Sequence, residues 1–149
     1  MSIACLCILV VVSNHDVQHL SNELVVLTAR LVRVVRRNDV GVPAASTRVL
    51  SLLDELGPST VGALAEADRC RQPTMTGLVK GLADKGWVDR SPHPDDARST
   101  LVALSDAGRA QLAGVRERNA ALVADRTEAA GLSPDDLATA VAVLRELVS

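Results

Sequence analysis

The sequence predicts a mainly α-helical fold with a small β-hairpin, an α+β arrangement, and two observations lead to this prediction. Apolar residues make up 48% of the 149 residues, yet Trp87 is the single aromatic one, so the core has to be aliphatic. Abundant Ala and Leu in such a core favour helix. The apolar residues also recur at spacings of three and four along most of the chain, which is the helical period. A chain of this length forms one globular domain.

The amino-terminal segment, residues 1–12, is apolar and precedes the helical pattern. Its run from Ile3 to Val12 is shorter than the roughly 20 residues that a membrane span needs. It also lacks the basic start and the small residues of a cleavable signal peptide. We interpret it as an extension that comes from a mis-called start codon, stays disordered or packs against a partner subunit. A membrane anchor is the less favoured alternative.

A long first helix is predicted over residues 13–38. Ser13 and Asp16 have the spacing of a capping box at its start. Four arginines crowd its far end, between positions 30 and 37, and the favoured interpretation of that run is a solvated face. The apolar spacing continues unbroken, as in a helix that packs along another helix. The residues with this spacing are Val17, Leu20, Leu24, Leu27, Leu31 and Val34.

Three short helices are predicted within residues 44–86. Gly57 and Pro58 end the first of them, and Thr60 is expected to cap the second. Pro73 fits the first turn of the third, which ends at Gly86. The apolar residues expected to face inward are Ala45, Val49, Leu52, Leu53, Leu56, Val61, Leu64, Ala65, Met75, Leu78, Val79 and Leu82.

The apolar period then changes from that of a helix to that of a strand. Trp87–Arg90 and Thr100–Leu104 are predicted as two strands joined by a polar loop over Ser91–Ala97. Trp87 is expected to be a packing anchor between the preceding helix and this hairpin. A long helix follows from Ser105 to about residue 130, and Ser133 caps a last helix that runs to residue 147.

Three short helices followed by a hairpin are typical of a winged helix-turn-helix lobe, which we place at residues 44–104. The two-stranded hairpin is the wing, and helices over residues 13–38 and 105–149 flank the lobe within one intertwined domain. The second helix of the turn pair must offer a polar outer face to the base edges of duplex DNA. The residues predicted on that face are Arg71, Gln72, Thr74, Thr76 and Lys80.

A solvated helix face remains the alternative for these five residues, because residues 59–104 have six basic and six acidic side chains and hence no net charge. The basic charge is nevertheless local. It lies at the start of the helix, where the exposed backbone amides also attract phosphate.

Four segments of the sequence resemble the MarR family of transcription regulators, in the family's order and spacing. They are Gln72–Thr76, Leu82–Arg90, His93–Arg98 and Leu101–Gly108, and the resemblance as a whole covers residues 17–147. It implies a homodimer held by the first and last helices, with a recognition helix from each subunit in a major groove of DNA and a wing arginine in a minor groove. The sequence departs from the family at position 93, which is commonly Asp, and at position 77, which is commonly Arg.

The resemblance also implies roles for individual residues. Gln72 would read adenine, and Thr74 and Thr76 would meet phosphates or base edges. Arg98 would enter the minor groove, although a loop arginine paired with a neighbouring aspartate is the alternative. Asp96 would orient Arg98 through a salt bridge, and Arg90 would lie at the base of the wing. The family further suggests a small apolar or phenolic effector, in a pocket that this composition would line with aliphatic side chains.

The apolar residues assigned to the dimer interface would form an exposed stripe in an isolated monomer. They are Val17, Leu20, Leu24 and Leu27 on the first helix and Leu137, Val141, Leu144 and Val148 on the last.

Two weaker alternatives place a sensor on the same scaffold. His15, His19 and Glu23 lie at i, i+4 and i+8, a geometry compatible with zinc, although no metal is the favoured interpretation. Cys70 precedes the recognition helix, where the helix dipole and two arginines could stabilise a thiolate for a redox switch. An inert cysteine is favoured there. Three cysteines without CxxC spacing indicate a reducing compartment, the cytoplasm.

The sequence thus predicts a sequence-specific, duplex-DNA-binding transcription regulator, a repressor that a small-molecule effector releases. It contains no catalytic or nucleotide-binding motif, so neither enzymatic activity nor a cofactor is expected. The near absence of aromatic residues excludes a base-stacking platform for single strands, and the absence of Tyr excludes a peroxide sensor that pairs Cys with Tyr. The alternative from another class is a winged-helix dimer that makes protein contacts without binding DNA.

Overall fold

The computed structural model describes residues 14–38, 41–94, 96 and 99–149, with side chains from residue 16 onward. The apolar residues 1–12 and the expected cap Ser13 lie outside the described residues. The chain divides into two compact units, Met1–Arg37 and Asn38–Ser149. Its elements are α1 (Asn14–Arg37), α2 (Ala44–Leu56), β1 (Ser59–Thr60), α3 (Val61–Ala67), α4 (Gln72–Asp84), β2 (Val88–Pro92), β3 (Thr100–Leu104), α5 (Asp106–Ala129) and α6 (Pro134–Val148).

Three helices begin at the residues that the sequence predicts. The hydroxyl of Thr60 accepts a hydrogen bond from the backbone N–H of Ala63 at 3.2 Å and starts α3. Ser105 starts α5 in the same way, by accepting from the N–H of Gly108 at 3.0 Å. Ser133 forms a full capping box with Asp136 at the start of α6. Each cap satisfies a backbone donor that the first helical turn leaves without a partner.

The sheet has one strand more than the predicted hairpin. Its order is β1-β3-β2 and all pairs are antiparallel. β1 has only two residues, Ser59 paired with Val102 and Thr60 paired with Leu101, so it is too short to show a strand period in the sequence. Strand β2 also extends to Pro92, into the predicted loop. An edge strand tolerates proline because its outer amides need no partner in the sheet.

The aliphatic core lies between the three short helices, the sheet and the start of α5. One prediction about α2 was wrong, because Leu56 is 54% exposed, and the predicted inward face did not include Leu50, which is fully buried. Leu56 is the last residue of α2, so it lies past the edge of the core although its helical phase is right. The core cluster consists of Val49, Leu50, Leu53, Leu64, Ala65, Met75, Val79, Leu82, Val88, Val102, Leu104 and Leu112.

The connection from α4 to β2 is fixed against the start of α5. Trp87 is half-buried against the core, which confirms its role as a packing anchor, and the Lys85 ammonium lies 4.7 Å from the centre of its ring. The backbone carbonyl of Trp87 accepts from the N–H of Ser105 at 3.2 Å. A Cβ atom at Gly108 would lie only 1.9 Å from that carbonyl oxygen. Residue 108 therefore has to be glycine for the backbones to meet this closely.

Candidate nucleic-acid interface

Helix α4 has one buried and one exposed face. Met75, Val79 and Leu82 are at most 1% exposed and hold the helix in the core, and Leu78 is half-buried beside them. This packing fixes the orientation of the helix, so the opposite face is presented to solvent as a rigid surface. The five residues that the sequence places on that outer face, Arg71, Gln72, Thr74, Thr76 and Lys80, are all exposed.

The amino-terminal end of α4 carries positive potential. Arg71 is the N-cap residue with an extended backbone, and its side chain makes no capping hydrogen bond. Its carbonyl instead accepts from the N–H of Thr74 at 2.9 Å and of Met75 at 3.2 Å. The helix dipole is positive at this end, and the Arg71 guanidinium adds a full charge. Together they favour an anionic ligand such as a phosphate group.

The hydroxyl of Thr76 is already used within the helix. It donates to the carbonyl of Gln72 at 2.9 Å, so its proton points along α4. In this rotamer the hydroxyl oxygen remains an acceptor but has no proton to give to a phosphate. Thr76 is therefore suited to an amino group of adenine or cytosine in the major groove, and less to the DNA backbone.

The turn between α3 and α4 has the hydrogen bonds of a Schellman motif. The N–H of Cys70 donates to the carbonyl of Ala65 at 3.0 Å, and the N–H of Arg69 donates to the carbonyl of Glu66 at 3.0 Å. The residue in the left-handed conformation is Arg69, with φ of 51°, where glycine is usual. A side chain in that conformation costs about 1 kcal/mol, so the turn depends on contacts elsewhere to keep its shape.

A salt bridge from α2 meets this turn. The Arg48 guanidinium donates through Nε to Asp68 Oδ1 at 2.8 Å and through a terminal nitrogen to Oδ2 at 3.0 Å. The hydrogen bonds from Arg48 hold the pKa of Asp68 below its ordinary value, and the same bonds raise the pKa of Arg48. A carboxylate with a lowered pKa stabilises the fold above its ordinary pKa of about 3.9 and loses that contribution on acidification below it. The pair is therefore charged throughout the physiological range.

The wing is formed by β2, β3 and the connection between them. Arg90 is exposed on β2 and pairs with Val102. The carboxylate of Asp96 accepts from the hydroxyl of Ser99 at 2.6 Å, and the N–H of Ser99 donates to the carbonyl of Asp96 at 2.9 Å. Arg98 lies outside the described residues, so its salt bridge to Asp96 and its entry into the minor groove stay predictions.

Sequence comparison decides which family this geometry represents. Residues 42–100 match the MarR family model. An HTH-type transcriptional regulator of Mycobacterium bovis is 34% identical over 127 residues, which cover 84% of this chain and 89% of that protein. The chain belongs to the MarR family. It is a DNA-binding transcription regulator with a winged helix-turn-helix fold, as the sequence predicts.

Two further similarities agree with this assignment. The HTH-type transcriptional repressor IacR of Pseudomonas putida is 29% identical over 90 residues, which cover 60% of this chain and 53% of IacR. The crystal structure of a mutant MarR from E. coli has a TM-score of 0.72 over 87% of this chain and 96% of that chain, at 23% identity. The similarity to the E. coli structure shows that this chain has the MarR fold.

Helix α4 of this MarR-family protein contains two glycines. Gly77 and Gly81 are exposed on α4, and a Cβ atom at either position would meet nothing within 4 Å. Each lowers the helix propensity by roughly 1 kcal/mol relative to Ala. The fold therefore does not require glycine at either position, and we expect the two glycines to allow close approach to DNA.

We expect Gly77→Ala and Gly81→Ala each to raise the free energy of unfolding by about 1 kcal/mol, because alanine is the better helix former. Each should also weaken DNA binding, since the new methyl group stands where bases or phosphates approach. Thermal melts and DNA titrations measure the two effects. Gly114→Ala on α5 is the control: it should be neutral or stabilising for the fold and leave DNA affinity unchanged. Unchanged affinity in both α4 variants would contradict close approach at these positions.

The helices that the MarR resemblance assigns to dimerisation expose their apolar residues. On α1, Val17, Leu20 and Leu27 are about half exposed, and Leu24 is partly covered. None of the residues of α6 is buried. Its predicted stripe consists of Leu137 (40% exposed), Val141 (45%), Val148 (81%) and the half-buried Leu144. These exposures agree with the predicted stripe.

The two sensor alternatives are a redox switch at Cys70 and a metal site on α1. Burial raises the pKa of the Cys70 thiol, and the nearby Asp68 carboxylate raises it further, outweighing Arg48. At neutral pH the group is therefore a thiol, which is a poor nucleophile, and this supports the inert interpretation. His19 and Glu23 are exposed on α1, and the side chain of His15 lies outside the described residues. Among the side chains that are described, no three His, Cys, Asp or Glu residues group closely enough to hold a metal ion.

Within the described residues, no helix is both long enough and apolar enough to cross a membrane.

Proposed function

We propose that this MarR-family protein acts in the cytoplasm as a homodimeric repressor that binds a pseudo-palindromic operator in duplex DNA. The observation that carries the proposal is the division of α4 into a buried face and a rigid polar face with Arg71 and Lys80 exposed. A rigid outer face is what major-groove readout requires, because base edges are recognised by side chains at fixed positions.

The proposed contacts divide into those that read bases and those that hold the backbone. Gln72 reads adenine through its amide, and Thr76 accepts a hydrogen bond from a base amino group. Arg71, Thr74 and Lys80 hold phosphates. In the wing, Arg98 enters the minor groove with Asp96 beside it, and Arg90 contacts the backbone at the base of the wing.

The homodimer is supported by the exposed apolar residues on α1 and α6, because a soluble monomer rarely leaves such a stripe uncovered. Repression is supported by the family relative that is named a repressor. Release by a small apolar or phenolic effector rests on family membership alone.

Selection of bound fragments from the protein's own genome, followed by footprinting, tests this proposal. We expect two protected half-sites related by two-fold symmetry, with centres about one helical turn, roughly 34 Å, apart. Placing the selected operator before a reporter gene should lower expression when the protein is present. Enrichment of no sequence would contradict operator binding, and the winged helix would then be a module for protein contacts.

The dimer interface is tested by Leu137→Glu combined with Val141→Glu on α6. Both positions are already partly exposed, so the monomer should fold, while two carboxylates per subunit in an apolar interface should prevent association. Analytical ultracentrifugation should show a monomer, and operator affinity should fall by at least about 100-fold because the two half-sites are no longer joined. Val143→Glu is the matched control. Its side chain is 47% exposed on another side of α6, and this variant should remain dimeric.

A further inference from the structure

The salt bridge between Arg48 and Asp68 joins α2 to the turn that leads into the recognition helix. Asp68 is the C-cap residue of α3, and its side chain is only 7% exposed. Both of its oxygens are held by the fork of the Arg48 guanidinium, at 2.8 and 3.0 Å. A bidentate pair fixes orientation as well as distance, because two parallel hydrogen bonds restrain rotation. We name this pair the Arg48–Asp68 brace.

The turn that the brace holds is short and strained. Only Arg69, Cys70 and Arg71 separate Asp68 from Gln72, the first residue of α4. Arg69 adopts φ of 51°, a left-handed conformation that is unfavourable for a residue with a side chain. The thiol of Cys70 points at the carbonyl of Arg71, 3.7 Å away, and this carbonyl starts the hydrogen bonding of α4. A shift at Asp68 is therefore passed directly to the end of α4 that carries Arg71 and Gln72.

We propose that Arg48 and Asp68 are positioning residues for DNA recognition, which set the angle and register of the amino-terminal end of α4 without touching DNA. The inference rests on the proposed function, because it concerns the same DNA-reading face. The brace does not hold α4 in the core, since Met75, Val79 and Leu82 do so from the buried face. Its loss therefore displaces the start of the helix while the fold remains.

The chain contains a matched control for this proposal. Asp54, also on α2, accepts from Arg116 on α5 at 2.8 Å. This pair joins the same residue types at the same shortest distance as the brace, through one hydrogen bond and with Asp54 37% exposed. It joins α2 to α5 and makes no connection to the turn before α4. Asp54→Asn and Asp68→Asn each remove one aspartate–arginine pair and the same charge, but only the second loosens the recognition helix.

The test compares affinity for the selected operator with affinity for unrelated duplex DNA, at a temperature where melts and Trp87 fluorescence show each variant to be folded. Non-specific binding depends on charge, so loss of a carboxylate should leave it unchanged or slightly stronger. Operator binding depends on the placement of the helix. We expect Asp68→Asn to weaken operator binding about 10-fold. Asp54→Asn should leave the ratio of the two affinities unchanged.

Two further variants complete the design. Arg48→Lys keeps the positive charge but cannot make the two parallel hydrogen bonds, so it should lower the ratio of operator affinity to non-specific affinity in part. If Asp68→Asn does not fold, Arg48→Lys takes its place in the test. The double variant Arg48→Gln with Asp68→Asn should lose no more operator affinity than Asp68→Asn alone, because both residues act through one pair. An unchanged ratio in the folded brace variants would overturn the proposal, and so would an equal change in the Asp54→Asn control. A wild-type protein that shows no sequence preference would instead count against operator binding itself.

Discussion

Gly108→Ala should destabilise the protein more than any other single added methyl group that we expect to matter in this chain. The new Cβ atom would lie 1.9 Å from the carbonyl oxygen of Trp87 and 2.9 Å from its carbonyl carbon. Both atoms belong to the backbone, so no flexible side chain can move aside. The carbonyl is also held by the N–H of Ser105 at 3.2 Å. Relief of the clash has to separate α5 from the start of β2.

We expect the loss in the free energy of unfolding to be at least about 3 kcal/mol, since overpacking against backbone lies at the upper end of such effects. For a domain of this size that corresponds to a fall in Tm of roughly 10 °C. Far-UV circular dichroism and Trp87 fluorescence, measured during thermal melts, check this. Gly114→Ala on the same helix is the control. Its Cβ would approach the end of the Arg118 side chain, at 3.3 Å, rather than backbone, and it should be neutral or stabilising. Equal melting of Gly108→Ala and wild type would refute the close approach described at Trp87.

Arg71→Ala combined with Lys80→Ala should remove most of the DNA affinity that comes from α4. Both side chains are exposed at the surface that we assign to phosphate contact. Log affinity falls with log salt, and each lost phosphate contact reduces the steepness of that fall by about 0.9. A dimer loses four contacts. We therefore expect the slope to become shallower by about 3 to 4 and operator affinity at physiological salt to fall by about 100-fold or more. Titrations of labelled operator at four or five salt concentrations measure both quantities.

The control for that variant removes two exposed arginines elsewhere. Arg126→Ala combined with Arg145→Ala changes the net charge by the same amount, on α5 and α6. A general electrostatic attraction would weaken equally in both double variants. Contact at α4 predicts a large change in slope for Arg71 and Lys80 and a small one for the control. Equal slopes in the two variants would show that the outer face of α4 is only solvated.

The sequence predicted most of the local structure, because local structure depends on neighbouring residues. Thr60 and Ser133 cap helices as expected, and Ser105 caps the helix that was expected to begin there. A hydroxyl placed just before a helix satisfies the free amides of its first turn. The outward residues of α4 follow from its period in the same way. Strand β1 was missed because two residues show no alternation, and its pairing with β3 depends on residues about 40 positions away.

Features that depend on distant contacts were not accessible from the sequence. Arg48 and Asp68 are separated by 20 positions, and no motif indicates that they form a pair. The environment of Cys70 differs from the predicted one for the same reason. The sequence showed two adjacent arginines that would favour a thiolate, whereas the folded turn places the Asp68 carboxylate against the thiol and raises its pKa. The clash at Gly108 is equally a property of two segments that meet only after folding.

Selection of operators from a pool of random duplexes, with wild-type protein and with Gln72→Ala in parallel, tests the central claim that the outer face of α4 reads base sequence. Gln72 is the first residue of α4 and is exposed, so its amide can pair with adenine in the major groove. Lys80→Ala serves as the comparison, because loss of a phosphate contact weakens binding without changing the preferred sequence. We predict that wild type selects a two-fold symmetric site and that Gln72→Ala loses one base preference in each half-site while the other preferences remain. A wild-type pool without a symmetric consensus, or an identical consensus from Gln72→Ala, would contradict the claim.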